Sequence, residues 1–297
     1  MKIIILGYSS YLALAISNYF RSIKGIKLIY VGRKGSNLYK VVKFEVPEDI
    51  NLLNISVSKL VHELQLDNDS VIINCITLGD LDKCELNQKE CMLKNYYFVE
   101  TLYSNLKLTN FKKIIHFSSN AVYDGSCPPY NENSKCEPIN FYGYVKLKTD
   151  QFLLSQDDSR IVILRPTTLY GKVTNNKPNP VSMIISNLRN KRKMKLTNDL
   201  IVNLLYVEDL VKVVENILDI DFSGLLNVSG NKAYSRYELG IEIAKLLDLD
   251  DRLIEQITTA QYNDIAKRPL NTCFENKLMK ELGVYPHSLD QVIQTFN

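Results

Sequence analysis

The sequence is poor in the residue patterns that hold metal ions or form redox centres. Its three histidines, His62, His116 and His287, lie too far apart to predict a metal site. Its six cysteines form no CxxC pair, which argues against a structural zinc site and a dithiol redox motif. We therefore predict no metal site, and reduced thiols of the kind found in the cytoplasm.

The sequence also lacks a strong charge bias and a long apolar run. The net charge of +3 favours neither a nucleic acid nor a membrane surface as partner. No run reaches the roughly 18 apolar residues of a membrane span, and no GxSxG motif indicates a serine hydrolase. The N-terminus imitates a signal peptide, but residues 7–10 interrupt its apolar core, so we predict a cytoplasmic protein.

What the sequence does contain is a regular alternation of strand and helix patterns. A buried strand at residues 3–6 is followed by a turn at 7–10, a helix at 12–20 and a second strand at 26–31. Further strands are predicted at 41–44, 71–76, 114–117, 160–164 and 225–228, and helices at 57–66, 87–106, 181–188, 207–218, 235–247 and 275–282. This alternation predicts an α/β fold with a Rossmann-type doubly wound parallel sheet.

After residue 165 the sequence changes in texture without a flexible linker or a repeat. We therefore predict a smaller C-terminal substrate lobe that is interleaved with the first lobe. Residues 1–170 and about 196–230 would form the cofactor lobe, and about 171–195 together with 231–297 would form the substrate lobe.

The first turn predicts a nucleotide-phosphate site at the N-terminus of the first helix. A GxxGxxG turn would place glycine at positions 7, 10 and 13, whereas this chain has Gly7, Ser10 and Ala13. Ala13 is small enough for close packing of helix and strand, and the Ser10 hydroxyl can donate to a phosphate oxygen. We expect Gly7, Ser10 and the next two residues, Tyr11 and Leu12, to contact the cofactor.

Two cations follow the second strand and bear on the choice of cofactor. An acid at this position binds a ribose 2′-hydroxyl, whereas a cation accommodates a 2′-phosphate. Arg33 and Lys34 therefore favour NADPH, with NADH as the alternative cofactor. The competing interpretation is that both side chains are solvated loop charges.

A serine, a tyrosine and a lysine together supply the groups needed for proton transfer. One strand ends in two serines, the second being Ser119, and Lys146 follows Tyr142 by four positions, so both lie on one helix face. A cation near a phenol should lower its pKa from about 10 towards neutrality, where a general acid or base works best. Tyr144 and Lys148 fit the same spacing, so the spacing alone leaves the pair ambiguous.

Several segments together resemble the extended short-chain dehydrogenase/reductase family, and within it the dTDP-4-dehydrorhamnose reductase group. The similar segments are NCITLGDLDKCE (74–85), FSSNAVYDG (117–125), YGYVKLKTD (142–150), RPTTLYG (165–171) and KRPLN (267–271), with Asn95 between the first two. In order and spacing they span nearly the whole chain. In this register the catalytic pair is Tyr142 and Lys146.

The resemblance implies NADPH-dependent reduction of the 4-keto group of a nucleotide-activated 6-deoxy sugar, in deoxysugar and surface-polysaccharide biosynthesis. Tyr142 would give the proton, Lys146 would hold the nicotinamide ribose, and Ser119 would polarise the carbonyl. Further implied contacts are Cys75, Ile76, Thr77 and Thr168 with the cofactor, and Asn120 and Arg268, beside Ser119 and Tyr142, with the substrate. A nucleotide sugar is the predicted partner, and a homodimer is the candidate assembly.

Other members of this family differ in the groups they need. Dehydratase-type members carry acids where this chain has Asn120 and Ala121, and epimerase–reductases use a cysteine and a histidine that are absent at position 121 and after Gly171. A nucleotide-sugar 4-epimerase needs only the serine, tyrosine and lysine and stays an alternative, although Arg33 argues against its tightly held NAD. A non-catalytic NADP-binding regulatory partner is a second alternative, because the altered phosphate turn suits such a protein.

Overall fold

The computed structural model describes residues 1–33, 41–172 and 178–296. Its strands, in chain order, are β1 (Lys2–Leu6), β2 (Lys27–Gly32), β3 (Val41–Lys43), β4 (Ser70–Asn74), β5 (Lys113–Phe117), β6 (Ile161–Pro166), β7 (Leu169–Tyr170), β8 (Met194–Thr197), β9 (Ile201–Val202), β10 (Leu205–Tyr206), β11 (Gly224–Val228), β12 (Tyr234–Ser235) and β13 (Ile254–Ile257). Its α-helices are α1 (Tyr11–Arg21), α2 (Ile50–Leu64), α3 (Leu81–Leu86), α4 (Gln88–Met92), α5 (Phe98–Leu106), α6 (Phe141–Leu154), α7 (Pro180–Arg189), α8 (Val207–Asp219), α9 (Arg236–Leu246), α10 (Lys277–Glu281) and α11 (Leu289–Val292).

Seven parallel strands form the central sheet, in the order β11-β6-β5-β4-β1-β2-β3. Strand β1 divides its side chains between two apolar cores. Ile3 and Ile5 pack with α1 and α8 on one face of the sheet, and Ile4 and Leu6 pack with α2 and α5 on the other. Burial on both faces explains the continuous apolar runs in the sequence, and the predicted doubly wound sheet is confirmed.

The strand order reverses between β1 and β4, so a crevice opens at the carboxyl ends of these two strands. Leu6 pairs with Asn74 at the last position of their register. The next residues are Gly7 on one side and Cys75 on the other, and the Cys75 N–H donates to the Leu6 carbonyl at 2.9 Å. Because ligands of open α/β sheets bind in such a crevice, the fold directs a candidate site to these residues.

Two helices differ from their predicted bounds. Helix α2 begins at Ile50, before the predicted residue 57, because Asp49 caps it by accepting a hydrogen bond from the Asn51 N–H at 2.7 Å. The predicted helix at 87–106 is divided into α4, a π-helical turn at Leu93–Tyr97, and α5. Both predictions rest on apolar spacing, which registers neither a polar cap nor a change of helix type.

A smaller lobe packs around its own core, which is formed by α7, α9, α11 and several short strands. Strand β8 pairs with β13, and β9 pairs with β12. Leu196 and Val202 pack in this smaller core, although the sequence analysis assigns residues from about 196 to the cofactor lobe; the lobe boundaries stay a prediction. Helix α8 and strand β11 do return to the central sheet, which makes the two lobes interleaved.

Candidate active site

A cavity of about 290 Å³ opens at the crevice between β1 and β4. The predicted cofactor residues in its lining are Gly7, Ser10, Arg33, Cys75, Ile76 and Thr77. The lining residues that were not predicted are Ser9, Gly32, Phe44, Glu45, Val46, Leu78, Lys83 and Lys94. Glu45 could have been predicted from the sequence as a lining residue. It directly follows the predicted third strand, and the carboxyl ends of parallel strands meet at the edge of the sheet where ligands bind.

Gly7 holds the turn between β1 and α1 against the end of β4. Its φ of +76° lies in the left-handed region, and an added Cβ would lie 3.0 Å from the Cys75 carbonyl carbon and the Ile76 nitrogen. Glycine adopts this conformation and permits this approach at little cost. The N-terminus of α1 is thereby kept at the cavity.

Ser10 lines the cavity and does not block it. Its side chain caps α1 by accepting a hydrogen bond from the Ala13 N–H at 3.2 Å. The same side chain hydrogen-bonds the Cys75 thiol, whose pKa burial raises to about 12. Donation from Ser10 to a phosphate stays a prediction.

Three other predicted cofactor residues, Tyr11, Leu12 and Thr168, are not part of this lining. The Tyr11 side chain reaches Gly171: a Cβ added to Gly171 would lie 2.6 Å from the Tyr11 hydroxyl oxygen. Leu12 packs against the apolar core on the α1 face of the sheet, and Thr168 lies between β6 and β7. Lys34 lies outside the described residues. The contact of these residues with a cofactor stays a prediction.

Tyr142 meets two other hydroxyl groups beside the cavity. It lies in the first turn of α6 and is 7% exposed, and the hydroxyl groups of Ser119 and Thr77 lie near enough to oppose the rise of its pKa. Ser119 also accepts a hydrogen bond from the Ala121 N–H at 3.1 Å, which fixes the turn after β5. Thr77 lines the cavity, so the Tyr142 phenol lies next to a residue of the cavity wall.

The alternative pair, Tyr144 and Lys148, does not lie beside Ser119 and the cavity. Tyr144 is 48% exposed. The Lys148 ammonium lies 4.7 Å from the centroid of the Tyr96 ring. The geometry therefore favours Tyr142 and Lys146 over Tyr144 and Lys148.

The prediction that Lys146 lowers the pKa of Tyr142 is wrong. Lys146 Nζ donates to the Phe117 carbonyl oxygen at 2.9 Å and lies 5.8 Å from the centroid of the Tyr142 ring. Burial raises the pKa of Tyr142 to about 12, although the neighbouring hydroxyls oppose this shift. Burial also lowers the pKa of Lys146 to about 8, with Asp150 acting in the opposite direction. Burial disfavours the charged form of both groups, the phenolate of Tyr142 and the ammonium of Lys146. This effect is larger than the attraction between the two charges.

A buried ion pair between Asp150 and Arg165 anchors α6. Asp150 Oδ2 accepts hydrogen bonds from Arg165 Nε at 2.9 Å and from Ser118 Oγ at 2.8 Å. Arg165 Nη1 donates to the Tyr123 hydroxyl at 2.9 Å. Burial raises the pKa of Asp150, and Arg165 opposes that shift. These contacts join α6 to β6 and to the loop after β5, so they fix Tyr142 relative to that loop.

Asn95, in the π-helical turn, positions the segment that carries Thr77. Its Oδ1 accepts from Thr77 Oγ1 at 3.0 Å and from the Leu78 N–H at 2.9 Å, and its Nδ2 donates to the Leu78 carbonyl at 3.1 Å. Its own carbonyl accepts from the Thr149 hydroxyl of α6 at 2.9 Å. Asn95 therefore contacts the cavity wall through its side chain and the helix of Tyr142 through its backbone carbonyl.

The predicted substrate residues Asn120 and Arg268 contact distant parts of the chain. Asn120 Nδ2 donates to Thr272 Oγ1 at 2.6 Å. Arg268 Nη2 donates to Asp82 Oδ1 at 2.8 Å, and its Nε donates to Asp264 at 3.4 Å. Contact of either residue with a substrate stays a prediction.

The described residues contain neither a metal site nor a membrane-spanning helix. All six cysteines are free thiols. Within residues 1–33, 41–172 and 178–296, no cluster of histidine, cysteine or acidic side chains could hold a metal ion. In those ranges no helix has both the length and the apolar character needed to cross a membrane.

The doubly wound sheet and the serine, tyrosine and lysine beside its crevice define an extended short-chain dehydrogenase/reductase. The family model described as the RmlD substrate binding domain matches residues 1–296, so the chain belongs to that family. Membership confirms the resemblance read from the motifs, and with it the prediction of an NAD(P)-dependent oxidoreductase as a class.

Individual relatives are distant. The chain is 26% identical to the dTDP-4-dehydrorhamnose reductase of Aggregatibacter actinomycetemcomitans, over 89% of this chain and 94% of that protein. It is also 26% identical to methionine adenosyltransferase 2 subunit beta of Xenopus tropicalis, over 80% of this chain and 71% of that protein. The structure of dTDP-4-dehydrorhamnose reductase from Bacillus anthracis in complex with NADP matches with a TM-score of 0.79 at 21% identity, over 99% of this chain and 98% of that one. At that identity the structural match shows the fold alone.

Proposed function

We propose that the chain is an NADPH-dependent reductase of a nucleotide-activated 4-keto-6-deoxy sugar, acting in deoxysugar and surface-polysaccharide biosynthesis. The observation that carries the proposal is the buried, protonated phenol of Tyr142, which lies beside Ser119 and beside Thr77 of the cavity wall. The family and the reductase among the relatives support this substrate class.

The cavity has the groups that a nicotinamide dinucleotide needs. The N-terminus of α1, with Ser9 and Ser10 in the lining, offers backbone N–H groups to a diphosphate. Arg33 lies 3.7 Å from the Glu45 carboxylate in an exposed ion pair, which a ribose 2′-phosphate can replace at little cost. Such a cofactor supplies a hydride, and Lys146 would bind its ribose.

Reduction of a ketone requires a proton on its oxygen. Tyr142 can give that proton because its pKa of about 12 keeps the phenol protonated at neutral pH. Ser119 would polarise the carbonyl by donating a hydrogen bond. Lys146, one helical turn further on, has a pKa of about 8, so its ammonium stays charged at neutral pH and can donate to a hydroxyl of the cofactor ribose.

The proposal is tested by mixing the protein with NADPH and 4-keto-6-deoxy sugars carried on dTDP, GDP, CDP or UDP. We expect one of them to drive oxidation of NADPH, followed by its absorbance, and to yield the 4-hydroxy sugar, identified by NMR. Measurable NADPH binding without oxidation by any sugar would contradict the proposal and favour the regulatory-partner alternative.

Cofactor preference is tested separately with Arg33→Ala. The cation contributes a charge-assisted hydrogen bond to a 2′-phosphate, so the variant should bind NADPH about 10-fold or more weakly and NADH unchanged. Lys27→Ala is the matched control, because Lys27 is exposed at the opposite end of the same strand. Equal losses for NADPH and NADH in the Arg33 variant would refute a 2′-phosphate contact.

Two other functions remain as alternatives. Likeness to a subunit of methionine adenosyltransferase favours a non-catalytic partner, whereas the intact Ser119, Tyr142 and Lys146 favour chemistry. A nucleotide-sugar 4-epimerase would interconvert its substrate without net oxidation of NADPH. A cytoplasmic location and a homodimeric assembly stay predictions.

A further inference from the structure

Two thiols lie on consecutive short helices beside the candidate active site. Cys84 belongs to α3 and Cys91 to α4, and Asn87 joins the two helices as the C-cap of the first and the N-cap of the second. Both thiols are fully buried, and they pack with Tyr142 and Val145 of α6 in one small apolar cluster. The fold therefore brings two cysteines together next to the phenol, although the sequence has no CxxC pair.

Both thiols are hydrogen-bonded to groups that hold the wall of the cofactor cavity. Cys84 Sγ donates to the Leu78 carbonyl at 3.4 Å. Asn95 Nδ2 donates to the same carbonyl at 3.1 Å and to Cys91 Sγ at 3.4 Å. Leu78 lines the cavity, and so does Thr77, whose hydroxyl donates to Asn95 Oδ1. The position of this part of the wall thus depends on both cysteines.

The surroundings of the two thiols suit them to different roles in oxidation. The Cys84 thiol lowers the pKa of Cys91, although burial opposes this shift. The Cys91 thiol and burial both raise the pKa of Cys84. The thiolate is the reactive form of a cysteine, and redox-sensing cysteines are often placed next to a resolving cysteine. Cys91 is therefore suited to react first and Cys84 to close a disulfide.

We propose that Cys84 and Cys91 form a peroxide-sensitive thiol pair, and that its oxidation to a disulfide loosens the wall of the cofactor cavity. The Cys91 thiolate attacks one oxygen of hydrogen peroxide, the O–O bond breaks, and the leaving hydroxide takes up a proton to form water. The Cys84 sulfur then attacks the sulfenic acid on Cys91, loses its proton and displaces the second oxygen as water. The two thiols lose two hydrogen atoms, and the peroxide gains them.

The cofactor cavity gives a small oxidant a route to the pair, because Leu78 of the cavity wall contacts Cys84 directly. A bound cofactor would obstruct this route. The disulfide removes the thiol that donates to the Leu78 carbonyl and draws Cys91 towards Cys84, away from Asn95. The wall would lose part of its support, so the cofactor would bind more weakly. The inference rests on the proposed function for the identity of that cofactor.

The first measurement needs neither a cofactor nor a sugar. The protein is treated with hydrogen peroxide, digested with trypsin and analysed by mass spectrometry. Trypsin cuts after Lys83, Lys89 and Lys94, so an internal disulfide joins peptides 84–89 and 90–94. We expect this joined pair, lighter by two hydrogen atoms than the separate peptides together, and its disappearance after treatment with dithiothreitol. NADP added before the peroxide should slow its formation.

Fluorescence titration then compares NADPH affinity before and after oxidation. The oxidised protein should bind NADPH about 2- to 10-fold more weakly, as expected for the loss of one hydrogen bond in the wall. Cys84→Ser and Cys91→Ser keep a polar group at each position but cannot form the bond, so peroxide should leave their affinity unchanged. Cys127→Ser is the matched control, because it removes an exposed free thiol and should keep the full response.

Absence of the joined peptides after treatment of the unchanged protein would overturn the proposal, and so would an unchanged NADPH affinity once the disulfide has formed. Equal rates of disulfide formation with and without NADP would rule out the cavity as the route. Circular dichroism checks the fold, and an alanine variant of the same cysteine replaces a serine variant that does not fold. The peptide measurement decides whether the thiol pair exists even where the reductase assay fails.

Discussion

At the scale of single residues, Tyr142 is the group that distinguishes a reductase from a binding protein. Tyr142→Phe removes the proposed proton donor and keeps the ring in place. We expect NADPH oxidation with the active keto sugar to fall about 100- to 10,000-fold, because general acid catalysis contributes that much. NADPH affinity, measured by fluorescence titration, should stay the same.

The matched control for this substitution is Tyr144→Phe. Tyr144 lies on the same helix but is 48% exposed, so its hydroxyl should be dispensable. Full turnover in Tyr142→Phe, or an equal loss in both variants, would contradict the assignment of the proton donor to Tyr142.

Lys146 makes a pH-dependent contribution to stability. Its pKa is about 8 in the folded chain and 10.5 in the unfolded chain, so below pH 8 both states are protonated and the folded state bears the full cost of the buried charge. Between about pH 8 and 10.5 the unfolded chain binds the proton and the folded chain does not, so stability rises with pH. Relative to Lys146→Met, the unchanged protein should gain about 3 kcal/mol across this window.

Urea unfolding at several pH values measures this gain for both proteins. Lys148→Met is the matched control, since Lys148 is a partly buried lysine of the same helix. A difference between the unchanged protein and Lys146→Met that stays constant with pH would exclude a lowered pKa at Lys146.

Motif order along the sequence was enough to propose Ser119, Tyr142 and Lys146 as the catalytic residues, and their catalytic roles stay predictions. It was not enough to predict their pKa values. Helical spacing shows that Tyr142 and Lys146 share a face, but not that the lysine turns to the Phe117 carbonyl. The contact of Thr77 with the phenol arises only when distant segments fold together.

At the scale of elements, the contact between α6 and the turn after β5 sets the position of Tyr142 relative to Ser119. Gly143 allows this contact, since an added Cβ would lie 2.1 Å from the Ala121 carbonyl oxygen and 2.9 Å from Pro138 Cβ. Gly143→Ala should therefore destabilise the fold by about 1–3 kcal/mol, the usual cost of overpacking. It should also lower kcat, because α6 must move away from the serine.

Gly79→Ala is the control for added volume. The nearest atom to its new methyl group, Thr77 Cγ2, is 3.9 Å away, so stability should change by less than about 0.5 kcal/mol. Urea unfolding of both variants gives the comparison. A Gly143→Ala protein as stable and as active as the unchanged chain would rule out the tight contact.

Elements were predictable where one segment carries a complete pattern. Strands β1, β4 and β5 in the middle of the central sheet are buried on both faces, so they form apolar runs in the sequence, as at Ile3 to Leu6. The two-residue strands β9 and β12 were missed because they are too short for a period. These strands form because Val202 pairs with Tyr234, which is far away in the sequence, and a local sequence pattern cannot predict such a pairing.

At the scale of the whole molecule, one bridge joins the two lobes near the active site. Asp82, in α3, accepts from Arg268 at 2.8 Å and from the Ala266 N–H at 3.1 Å. Arg268 can therefore act on a substrate in two ways, by touching it or by holding the 264–268 segment against the cofactor lobe. The observed contacts favour the second.

This positioning role predicts how two substitutions combine. Arg268→Gln and Asp82→Ala should each weaken binding of the sugar nucleotide about twofold to fivefold, as expected for a partly exposed ion pair, and leave NADPH affinity unchanged. The double variant should lose less affinity than the product of the two single losses, because both substitutions break the same bridge. Calorimetry on all four proteins measures this. If Arg268→Gln loses far more affinity than Asp82→Ala, the arginine contacts the substrate itself and the positioning account is wrong.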